Sequence, residues 1–357
     1  MREAFWGLQR LNSVAQSMFD RTCVRIGSGE RAGMKKMKVL VSFDLPKIFV
    51  EKLRSVSPNL EVVQSEGKEE ALRLIDDADI LFAGFFSREL FLAAKKLKWI
   101  QAWGAGVDNL LLPEVVKSRV VVTNAGGIHP TPISEHVIGL MLCQCRKLHL
   151  LIRDQAERKW QRFDSQAATD QIEELSGKTV GIVGLGRIGT EVARKAKCLG
   201  MRVIATKRDP SHSTSTGVDR LVRPADLNQL LAESDFVVLS LPLTKETEGM
   251  IGEAQFKSMK RTGYLINVSR GKIVQEDKLI KALKQGWIAG AGLDTFENEP
   301  LPERSELWGF RNVIITPHVA GLTPYYMERL AGIFRENLTR FLAKKQLFNV
   351  VDKNLGY

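Results

Sequence analysis

A glycine-rich turn at residues 184–189 constrains the fold of this chain more than any other stretch of its sequence. The turn reads Gly-Leu-Gly-Arg-Ile-Gly, and a short β-branched run, 178–183, precedes it. A segment with apolar residues at helical spacing follows, ends at Gly200 and leads into a second β-branched run, 201–206. Alone, such a turn is a weak signal, and a purely structural glycine turn is the alternative. Within a strand–turn–helix–strand unit of about 30 residues it indicates a dinucleotide-binding site.

The three glycines of this turn have different expected roles. Gly184 makes the tight turn, Gly186 allows the backbone to approach a pyrophosphate, and Gly189 allows the helix to pack on the strand. The pyrophosphate would lie at the N-terminus of the helix, where unpaired N–H groups and the positive end of the helix dipole favour an anion. We therefore predict a Rossmann-type unit that binds a dinucleotide.

The composition is typical of a globular protein. The chain has 357 residues, of which 44% are hydrophobic and 26% charged, and this length suits two domains with separate cores. No apolar run approaches the roughly 18 residues that a membrane span needs, so we expect no membrane association. The four cysteines form no Cys-x-x-Cys pair and no cluster with histidines at metal-binding spacing. We therefore expect reduced thiols, no metal site and a cytoplasmic protein.

The net charge of +11 raises the question of nucleic-acid binding. Residues 1–36 carry seven Lys or Arg against three Asp or Glu, so this segment accounts for four of the eleven charges. The remaining charges are scattered, and no basic run alternates with aromatic residues. We expect no nucleic-acid partner and instead an attraction for small anions.

Residues 1–36 are predicted to form a mobile tail outside the packed domains. They are rich in arginine and contain no uninterrupted apolar core of the kind that a secretory signal has. Two other interpretations remain open at this point, namely a start assigned upstream of Met34 or Met37 and an organellar transit peptide.

From Lys38 onward, short β-branched runs alternate with helical segments. This pattern predicts parallel sheets covered by helices on both faces, first in a unit of about 95 residues and again in the unit that contains the glycine turn. The longest helical stretch is predicted at Ser134–Arg158, after the helix breakers Pro130 and Pro132. Its excess of apolar residues suits either the core or a second subunit. A final helix is predicted at 324–343.

Three polar residues follow predicted strands of the second unit. They are Arg270 in Asn-Val-Ser-Arg-Gly, Glu299 in Phe-Glu-Asn-Glu-Pro and His318 in Thr-Pro-His-Val-Ala. Ligands of open α/β sheets bind beyond the carboxyl ends of the strands, so we expect these side chains to meet beside the dinucleotide. Arginine can bind a carboxylate through two parallel hydrogen bonds, histidine can give a proton to a carbonyl oxygen, and a carboxylate stabilises the protonated imidazole. Taken singly, each residue also has an ordinary structural interpretation: a surface ion pair, a turn residue and a core histidine.

The order of these motifs resembles that of the D-isomer-specific 2-hydroxyacid dehydrogenase family, which includes glyoxylate/hydroxypyruvate reductases, D-lactate dehydrogenases and phosphoglycerate dehydrogenases. The resemblance covers Lys38 to the end of the sequence. Besides the glycine turn and the three polar segments, its motifs are Gly-Ala-Gly-Val-Asp-Asn at 104–109, Ile-Ser-Glu-His at 133–136 and Leu-Pro-Leu-Thr at 241–244. The segment Gly-Ile-His-Pro-Thr-Pro at 127–132 departs from the commoner family sequence.

The resemblance implies an α/β fold with two Rossmann-like parallel-sheet domains. A nucleotide-binding domain would be inserted into a flavodoxin-like substrate domain, with the active site in the cleft between them. The substrate domain would comprise residues 37–133 and 324–357, and the nucleotide domain residues 134–323.

The family's site residues map onto this sequence one by one. Arg270, Glu299 and His318 would be the catalytic residues, and the backbone at Ala105 and Gly106 would bind the substrate carboxylate together with Arg270. The residues that would bind the dinucleotide are Gly184, Gly186, Arg187, Ile188, Gly189, Thr206, Lys207, Arg208, Leu241, Val268, Ser269, Asp294 and Gly321.

The resemblance also bears on the choice of cofactor. NAD-dependent relatives have an acidic residue at the end of the second strand of the nucleotide domain, where it hydrogen-bonds the ribose 2′-hydroxyl. Alignment on the glycine that ends the helix places Lys207 there, with Thr206 before it and Arg208 after it. A hydroxyl and two cations suit a 2′-phosphate, so NADP(H) is expected over NAD(H). Asp209 is the argument for NAD(H), because a slip of one or two residues would bring its carboxylate to the ribose.

The implied reaction is the NAD(P)-dependent interconversion of a small 2-keto acid and its D-2-hydroxy acid, with glyoxylate or hydroxypyruvate as the expected substrate. Hydride would pass between the nicotinamide C4 and the substrate C2 while His318 protonates the carbonyl oxygen. The family also implies a homodimer built around Ser134–Arg158. A dinucleotide-sensing transcriptional corepressor of the same fold is the alternative, because such proteins retain the catalytic residues.

Overall fold

Two parallel sheets organise the part of the chain that the structure, a computed structural model, describes. The described residues are 36–160, 172–208 and 217–357. The α/β fold class predicted from the alternating pattern is confirmed. The predictions for the tail, apart from Lys36, and for Asp209 lie outside the described residues.

Most strands of the two sheets contain β-branched residues, and β11, with the sequence Gly-Ala-Gly-Leu, is an exception. The strands of the first sheet are β1 (Met37–Val41), β2 (Leu60–Gln64), β3 (Ile80–Ala83), β4 (Trp99–Ala102) and β5 (Val121–Thr123). Those of the second sheet are β6 (Thr179–Val183), β7 (Arg202–Thr206), β8 (Arg220–Val222), β9 (Phe236–Leu239), β10 (Tyr264–Asn267), β11 (Gly290–Leu293) and β12 (Val313–Ile315).

The strand order of each sheet is that of a doubly wound fold. The first sheet has the flavodoxin-like order β2-β1-β3-β4-β5, and the second has the order β12-β11-β10-β9-β6-β7-β8. Every pairing within both sheets is parallel. The chain reverses its direction of travel across the second sheet between β6 and β9, and a ligand site is expected at such a switch point.

Helices cover both sheets and connect their strands. They are α1 (Lys47–Arg54), α2 (Lys68–Leu74), α3 (Arg88–Ala93), α4 (Pro113–Lys117), α5 (Pro130–Cys145), α6 (Leu148–Ala156), α7 (Arg187–Cys198), α8 (Leu227–Glu233), α9 (Glu253–Ser258), α10 (Glu276–Lys284) and α11 (Tyr326–Leu342).

The last helix, α11, returns to the first sheet. Its Phe334 is stacked on Phe82 of β3, with the ring centroids 4.1 Å apart, and faces Trp99 of β4 at 5.2 Å. All three side chains are fully buried, and burial of each such side chain contributes about 1.5–3 kcal/mol. Residues from both ends of the described chain therefore build one core on this sheet.

The helix that follows the glycine turn is packed between the second sheet and α5. Val192 and Ala196 of α7 share an apolar cluster with Val137 and Met141 of α5, and all four are buried. Gly200, with a φ of 76°, lies just past the end of α7 and reverses the chain into β7. This packing fixes the end of the helix at which the predicted pyrophosphate would bind.

The prediction of one helix at Ser134–Arg158 is wrong in two respects. The helix begins earlier, at Pro130, because the first turn of a helix leaves N–H groups unpaired and tolerates a residue that lacks one. It also ends at Cys145, and a second helix, α6, begins after Lys147. Lys147 has a φ of 55°, and a left-handed residue interrupts the α-helical hydrogen-bond pattern.

The structure bears on the expectation of reduced thiols. Cys143, Cys145 and Cys198 are unpaired among the residues that the structure describes. Burial, and then the charge of Glu173, raise the pKa of Cys145 to about 11, so little of the reactive thiolate is present at neutral pH.

No helix within the three described ranges is long and apolar enough to cross a membrane.

Candidate active site

Three neighbouring strands of the second sheet deliver the predicted catalytic side chains to one edge. Arg270 follows β10, Glu299 follows β11 and His318 follows β12. Because these strands are parallel and paired in this order, their carboxyl ends lie side by side. The three side chains line one cavity of about 520 Å³, and its other wall consists of loops of the first sheet, including Gly104 and Gly106. The large apolar side chains of the lining are Phe86, Trp103, Leu110, Leu243 and Phe296.

His318 and Glu299 form a close pair in this cavity. The Nδ1 atom of His318 lies 2.7 Å from Oε2 of Glu299, and the N–H of Phe296 donates to the other Glu299 oxygen at 3.0 Å. His318 has a φ of 54°, a backbone conformation that residues with a side chain adopt at a cost in free energy. The carboxylate orients the ring through Nδ1, so Nε2 is the atom left for a substrate oxygen.

Arg270 faces this pair from the end of β10. Its Nη1 donates to the carbonyl of Ser269 at 2.9 Å, and its Nη2 lies 3.3 Å from Oδ1 of Asp108. Buried Asn267 holds the turn, because its Oδ1 accepts hydrogen bonds from the N–H and hydroxyl of Ser269 and its amide donates to the Arg270 carbonyl. The guanidinium has five N–H donors, so these contacts leave donors for the carboxylate of a ligand.

The backbone of the 104–106 loop approaches Arg270 from the first sheet. A methyl group on Gly106 would overlap Nη2 of Arg270, so the approach requires glycine at this position. The carbonyl of Ala105 accepts a hydrogen bond from Nδ2 of Asn124 at 3.0 Å, which orients the loop. The residues predicted to bind the substrate carboxylate therefore lie next to one another.

Asp294 is buried behind His318. Its two oxygens accept hydrogen bonds from the Thr316 hydroxyl at 2.6 Å and from the backbone N–H groups of 319–320 at 2.9 Å. His136 joins this network through the Thr316 hydroxyl, 3.0 Å away. Asp294 thus holds the segment that carries His318, and its contact with the nicotinamide half stays a prediction.

The glycine turn has the shape that a dinucleotide requires. Gly184 has a φ of 100°, its N–H donates to the Thr206 hydroxyl at 2.9 Å, and its carbonyl accepts from the Ser240 hydroxyl at 2.8 Å. A methyl group on Gly189 would overlap the Gly184 carbonyl, so the helix packs closely there. A methyl group on Gly186 would meet nothing within 4 Å, so the turn is open where a pyrophosphate would approach. These residues fit a bound dinucleotide.

Other predicted cofactor residues lie around this edge of the second sheet. Leu241 lies beside the glycine turn after β9, and Ile188 and Val268 pack in the apolar cluster beneath the turn. Gly321 faces the ring of His129 so closely that an added methyl group would lie 2.9 Å from it. Contact of these residues with a cofactor stays a prediction.

The residues predicted to discriminate between the two cofactors differ in their exposure. Thr206 is buried, and its hydroxyl already accepts a hydrogen bond from the glycine turn. Lys207 is half-buried and Arg208 is exposed. Arg187 is also exposed, and its Nη2 donates to Oδ1 of Asn349 at 2.8 Å. The cations, rather than the hydroxyl, are therefore the groups available to a ligand.

Three residues that support the site have no role predicted from the sequence alone. Asp108 lies in the recognised 104–109 motif, but its contact with Arg270, 162 residues away, has no local signal. Asn267 immediately precedes the 268–270 segment, where a turn-forming asparagine is a known signal. Thr316 has no such signal, because its link to Asp294 joins two different strands. No group of three or more metal-binding side chains occurs within the described ranges.

Comparison with known proteins agrees with this geometry. Residues 138–320 match the family model described as "D-isomer specific 2-hydroxyacid dehydrogenase, NAD binding domain". A glyoxylate reductase of Korarchaeum cryptofilum is 36% identical to this chain over 314 residues, which cover 86% of this chain and 93% of that protein.

Two solved structures extend the similarity to the whole fold. A D-isomer specific 2-hydroxyacid dehydrogenase family protein of Aeromonas salmonicida is 34% identical, with a TM-score of 0.78 over 90% of this chain and 100% of that one. An NADPH-dependent glyoxylate/hydroxypyruvate reductase of Sinorhizobium meliloti, solved with NADP and sulfate, is 29% identical, with the same TM-score and coverage. The chain therefore belongs to the D-isomer-specific 2-hydroxyacid dehydrogenase family, NAD(P)-dependent oxidoreductases that act on the CH–OH group of 2-hydroxy acids.

Proposed function

We propose that this protein interconverts glyoxylate and glycolate or hydroxypyruvate and D-glycerate. The observation that carries the proposal is the pair formed by His318 and Glu299, 2.7 Å apart, in the same cavity as the Arg270 guanidinium. A cation and a proton donor in one small cavity suit a substrate whose carboxylate is next to a carbonyl group. The names of similar proteins, glyoxylate reductase and glyoxylate/hydroxypyruvate reductase, support this substrate class.

Arg270 and the 105–106 backbone bind the substrate carboxylate in this proposal. Asp108 and the Ser269 carbonyl hold the guanidinium in place. Because Gly106 has no side chain, its backbone N–H and the guanidinium can serve the same carboxylate. Binding at two points orients the carbonyl carbon toward the nucleotide-binding edge of the second sheet.

His318 transfers the proton. It gives a proton to the carbonyl oxygen when the keto acid is reduced and takes one from the hydroxyl when the hydroxy acid is oxidised. Glu299 stabilises the protonated imidazole before transfer and keeps Nδ1 engaged, so that Nε2 faces the substrate. The bound nicotinamide supplies or accepts the hydride.

The apolar part of the cavity lining favours a small substrate. Phe86, Trp103, Leu243 and Phe296 offer few partners to a polar group at the far end of a longer acid. Lys272 also lines the cavity, but so do the carboxylates of Asp108 and Glu297, which would repel a second negative charge. Glyoxylate has no distal polar group, and hydroxypyruvate has one hydroxyl. We therefore expect glyoxylate and hydroxypyruvate to be better substrates than dicarboxylic or phosphorylated keto acids, whose distal charges would lose hydration in this cavity.

Steady-state kinetics with a panel of keto acids tests this proposal. With NADPH at a fixed concentration, the absorbance of the reduced nicotinamide is followed with glyoxylate, hydroxypyruvate, pyruvate and oxaloacetate. We expect kcat/KM for glyoxylate or hydroxypyruvate to exceed that for oxaloacetate by about 100-fold or more. Chiral chromatography of the product of hydroxypyruvate should show the D-isomer. Turnover of none of these acids would contradict the proposal and favour a corepressor-like binding function.

We propose that NADP(H) is preferred over NAD(H). Lys207 and Arg208 follow β7 at the position where NAD-dependent relatives have an acid, and both are accessible to a ligand. Two cations bind a 2′-phosphate through charge-assisted hydrogen bonds. Thr206 supports this arrangement indirectly, because it holds the glycine turn.

The ratio of kcat/KM for NADPH to that for NADH tests the cofactor proposal. We expect the wild type to favour NADPH, and Lys207→Ala/Arg208→Ala to reduce the ratio by about 10- to 100-fold, as loss of two charge-assisted contacts implies. Lys278→Ala/Lys284→Ala removes the same number of charges from the surface of α10 and should leave the ratio unchanged. A wild-type preference for NADH would refute the proposal.

We further propose the domain organisation and assembly that the resemblance implies. Residues 37–133 and 324–357 form the substrate domain, and residues 134–323 form the nucleotide domain. The packing of α11 on the first sheet and of α5 on α7 supports a division into two domains, and the boundary at 133/134 falls within α5, whose Ile133 packs in the apolar cluster of the second sheet. The exposed apolar side chains of α6 support a homodimer. We also propose that the protein is cytoplasmic and has no nucleic-acid partner.

A further inference from the structure

The segment 349–357 contacts two arginines of the proposed cofactor site. Asn349 contacts Arg187 of the glycine turn, and Tyr357 contacts Arg208 after β7. We propose that this segment borders the dinucleotide site. Asn349 positions Arg187 for the pyrophosphate, and Tyr357 positions Arg208 for the 2′-phosphate. The inference rests on the proposed NADP(H) preference and extends it to residues outside the Rossmann unit.

The segment is anchored to the edge of the first sheet. Val350 forms an antiparallel bridge with Thr123, and the N–H of Val351 donates to the carbonyl of Val122 at 2.8 Å. The ammonium group of Lys353 donates to three carbonyls around α4 and β5 at 2.7 to 3.2 Å. These bonds fix the path of the segment independently of the two arginines.

Asn349 joins the glycine turn to the first sheet. Its Oδ1 accepts a hydrogen bond from Nη2 of Arg187 at 2.8 Å, and its Nδ2 donates to the carbonyls of Asn124 and Gly126 at 3.3 and 2.8 Å. A methyl group on Gly126 would lie 2.5 Å from Nη1 of Arg187, so the guanidinium is packed against this backbone. Arg187 is thus held from one side, while its remaining donors can bind an anion.

Tyr357 offers an aromatic face to Arg208. The Cζ atom of Arg208 lies 5.4 Å from the ring centroid, within the range of a cation–π contact. The N–H of Asp352 donates to the Tyr357 carbonyl at 3.0 Å, which fixes the backbone beside the ring. The Thr244 hydroxyl, which donates to Oε2 of Glu246, and more weakly the charge of Arg208 hold the pKa of Glu246 below its ordinary value.

Positioning of these arginines would increase affinity without any contact between the segment and the ligand. A long side chain loses conformational entropy when it binds, and a contact that already holds it reduces this cost. The two contacts serve different parts of the ligand. Both NADH and NADPH have a pyrophosphate, but only NADPH has a 2′-phosphate. Variants of Asn349 and of Tyr357 should therefore differ in their selectivity.

Calorimetric titration of the full-length protein with ADP-ribose and with 2′-phospho-ADP-ribose measures both effects without turnover. Asn349→Gly removes the side chain and suits the φ of 55° at this position. This variant should bind both ligands with lower affinity than the wild type, by the same factor of about three to ten. Gly126→Ala, whose methyl group would displace the same guanidinium, is a second variant with the same expected result if Asn349→Gly does not fold.

Tyr357→Ala should lower the affinity for the phosphorylated ligand only, by about two- to fivefold. Tyr357→Phe retains the ring and should bind both ligands as the wild type does. Leu355→Ala is the matched control, because Leu355 is an exposed residue of the same segment, and it should change neither affinity. Equal weakening of both ligands by Tyr357→Ala would overturn the role of this residue.

Double variants separate positioning from a structural role. In an Arg187→Ala background, Asn349→Gly should cause no further loss of ADP-ribose affinity. In an Arg208→Ala background, Tyr357→Ala should cause no further loss for the phosphorylated ligand. Additive losses would overturn the inference, because the segment would then not act through the arginines.

Arg208→Ala alone distinguishes failure of the inference from failure of the cofactor proposal. If this variant binds both ligands as the wild type does, Arg208 does not recognise the 2′-phosphate and the role of Tyr357 fails, whereas the cofactor proposal fails only if the wild type itself does not bind the phosphorylated ligand more tightly. The role of Asn349 is decided by ADP-ribose alone. Unchanged affinity for ADP-ribose in both Asn349→Gly and Gly126→Ala would refute it.

Discussion

The α-carbon of Gly106 lies so close to the guanidinium of Arg270 that a methyl group on it would overlap Nη2. Gly106 belongs to the loop after β4 in the first sheet, and Arg270 follows β10 in the second. Asp108 is on the same side, 3.1 Å from the position of that methyl group. The position of the Arg270 guanidinium at the proposed substrate carboxylate therefore depends on the absence of a side chain at residue 106.

Gly106→Ala is expected to displace Arg270 and reduce kcat/KM for glyoxylate by about 100-fold, the loss that a misplacement of about 1 Å can cause. Gly104→Ala is the matched comparison, because its added methyl group would meet only the Gly106 backbone, at 3.6 Å or more, and its loss should be much smaller. Affinity for ADP-ribose, measured by calorimetry, should stay that of the wild type in both variants. Equal losses of kcat/KM in the two variants would show that displacement of Arg270 does not cause the loss of activity in Gly106→Ala.

Arg270→Ala and His318→Ala should each reduce kcat/KM by about 10²- to 10⁴-fold, because the first loses the substrate carboxylate and the second the proton donor. Both side chains are partly exposed in the cavity, so thermal unfolding should remain close to that of the wild type. Near-normal activity of His318→Ala would contradict the proposed mechanism.

Glu299→Gln keeps the size of the side chain but removes the charge beside the imidazole. The protonated ring loses its anionic neighbour, so we expect kcat/KM to fall by about 10- to 100-fold. Glu297→Gln is the control, since Glu297 also lines the cavity but makes no contact with His318 among the described hydrogen bonds. If the two variants behaved alike, the assignment of the acid to Glu299 would be wrong.

His129 should make the stability of the protein depend on pH. Burial, and then the charge of Arg270, lower its pKa from the ordinary value. The unfolded chain takes up a proton at this residue below about pH 6.5, whereas the native state does so only at lower pH. The unfolded state therefore binds more protons in this window, and the free energy of unfolding decreases as the pH falls through it.

His129→Phe keeps an aromatic ring against Tyr326, 5.4 Å away in the wild type, but cannot titrate. Urea unfolding at about pH 7.5 and pH 5.5 should show a smaller loss of stability on acidification in this variant than in the wild type. His149, whose pKa burial also lowers, is present in both proteins and cancels in the comparison. Identical losses would mean that His129 does not titrate in this window.

Light scattering at micromolar concentration should give twice the chain mass of 40.0 kDa. Helix α6 exposes Ile152 (62%) and Leu148 (41%), and a dimer would bury such side chains. Ile152→Glu should shift the equilibrium toward the monomer. Ile48→Glu on α1 is the matched control, because Ile48 is equally exposed, also at 62%. A monomeric wild type would contradict the prediction.

The elements of the fold were predictable where they depend on neighbouring residues. The β-branched runs became parallel strands, and the glycine turn connects β6 to α7 as its sequence pattern indicates. Arg270, Glu299 and His318 follow their strands for the same local reason. The helix at Ser134–Arg158 was predicted wrongly, because apolar periodicity does not reveal the left-handed residue Lys147 that divides it.

The contacts of the site depend on residues that are distant in the sequence. Arg270 and Asp108 are 162 residues apart, and so are Arg187 and Asn349. No local pattern relates such residues, because their approach results from the way in which large apolar clusters pack the two sheets. Local sequence was enough to locate the strands, the turn and the side chains capable of chemistry. Which of those side chains contact residues of the first sheet, and where the backbone there has no room for a side chain, was a consequence of packing between the two sheets.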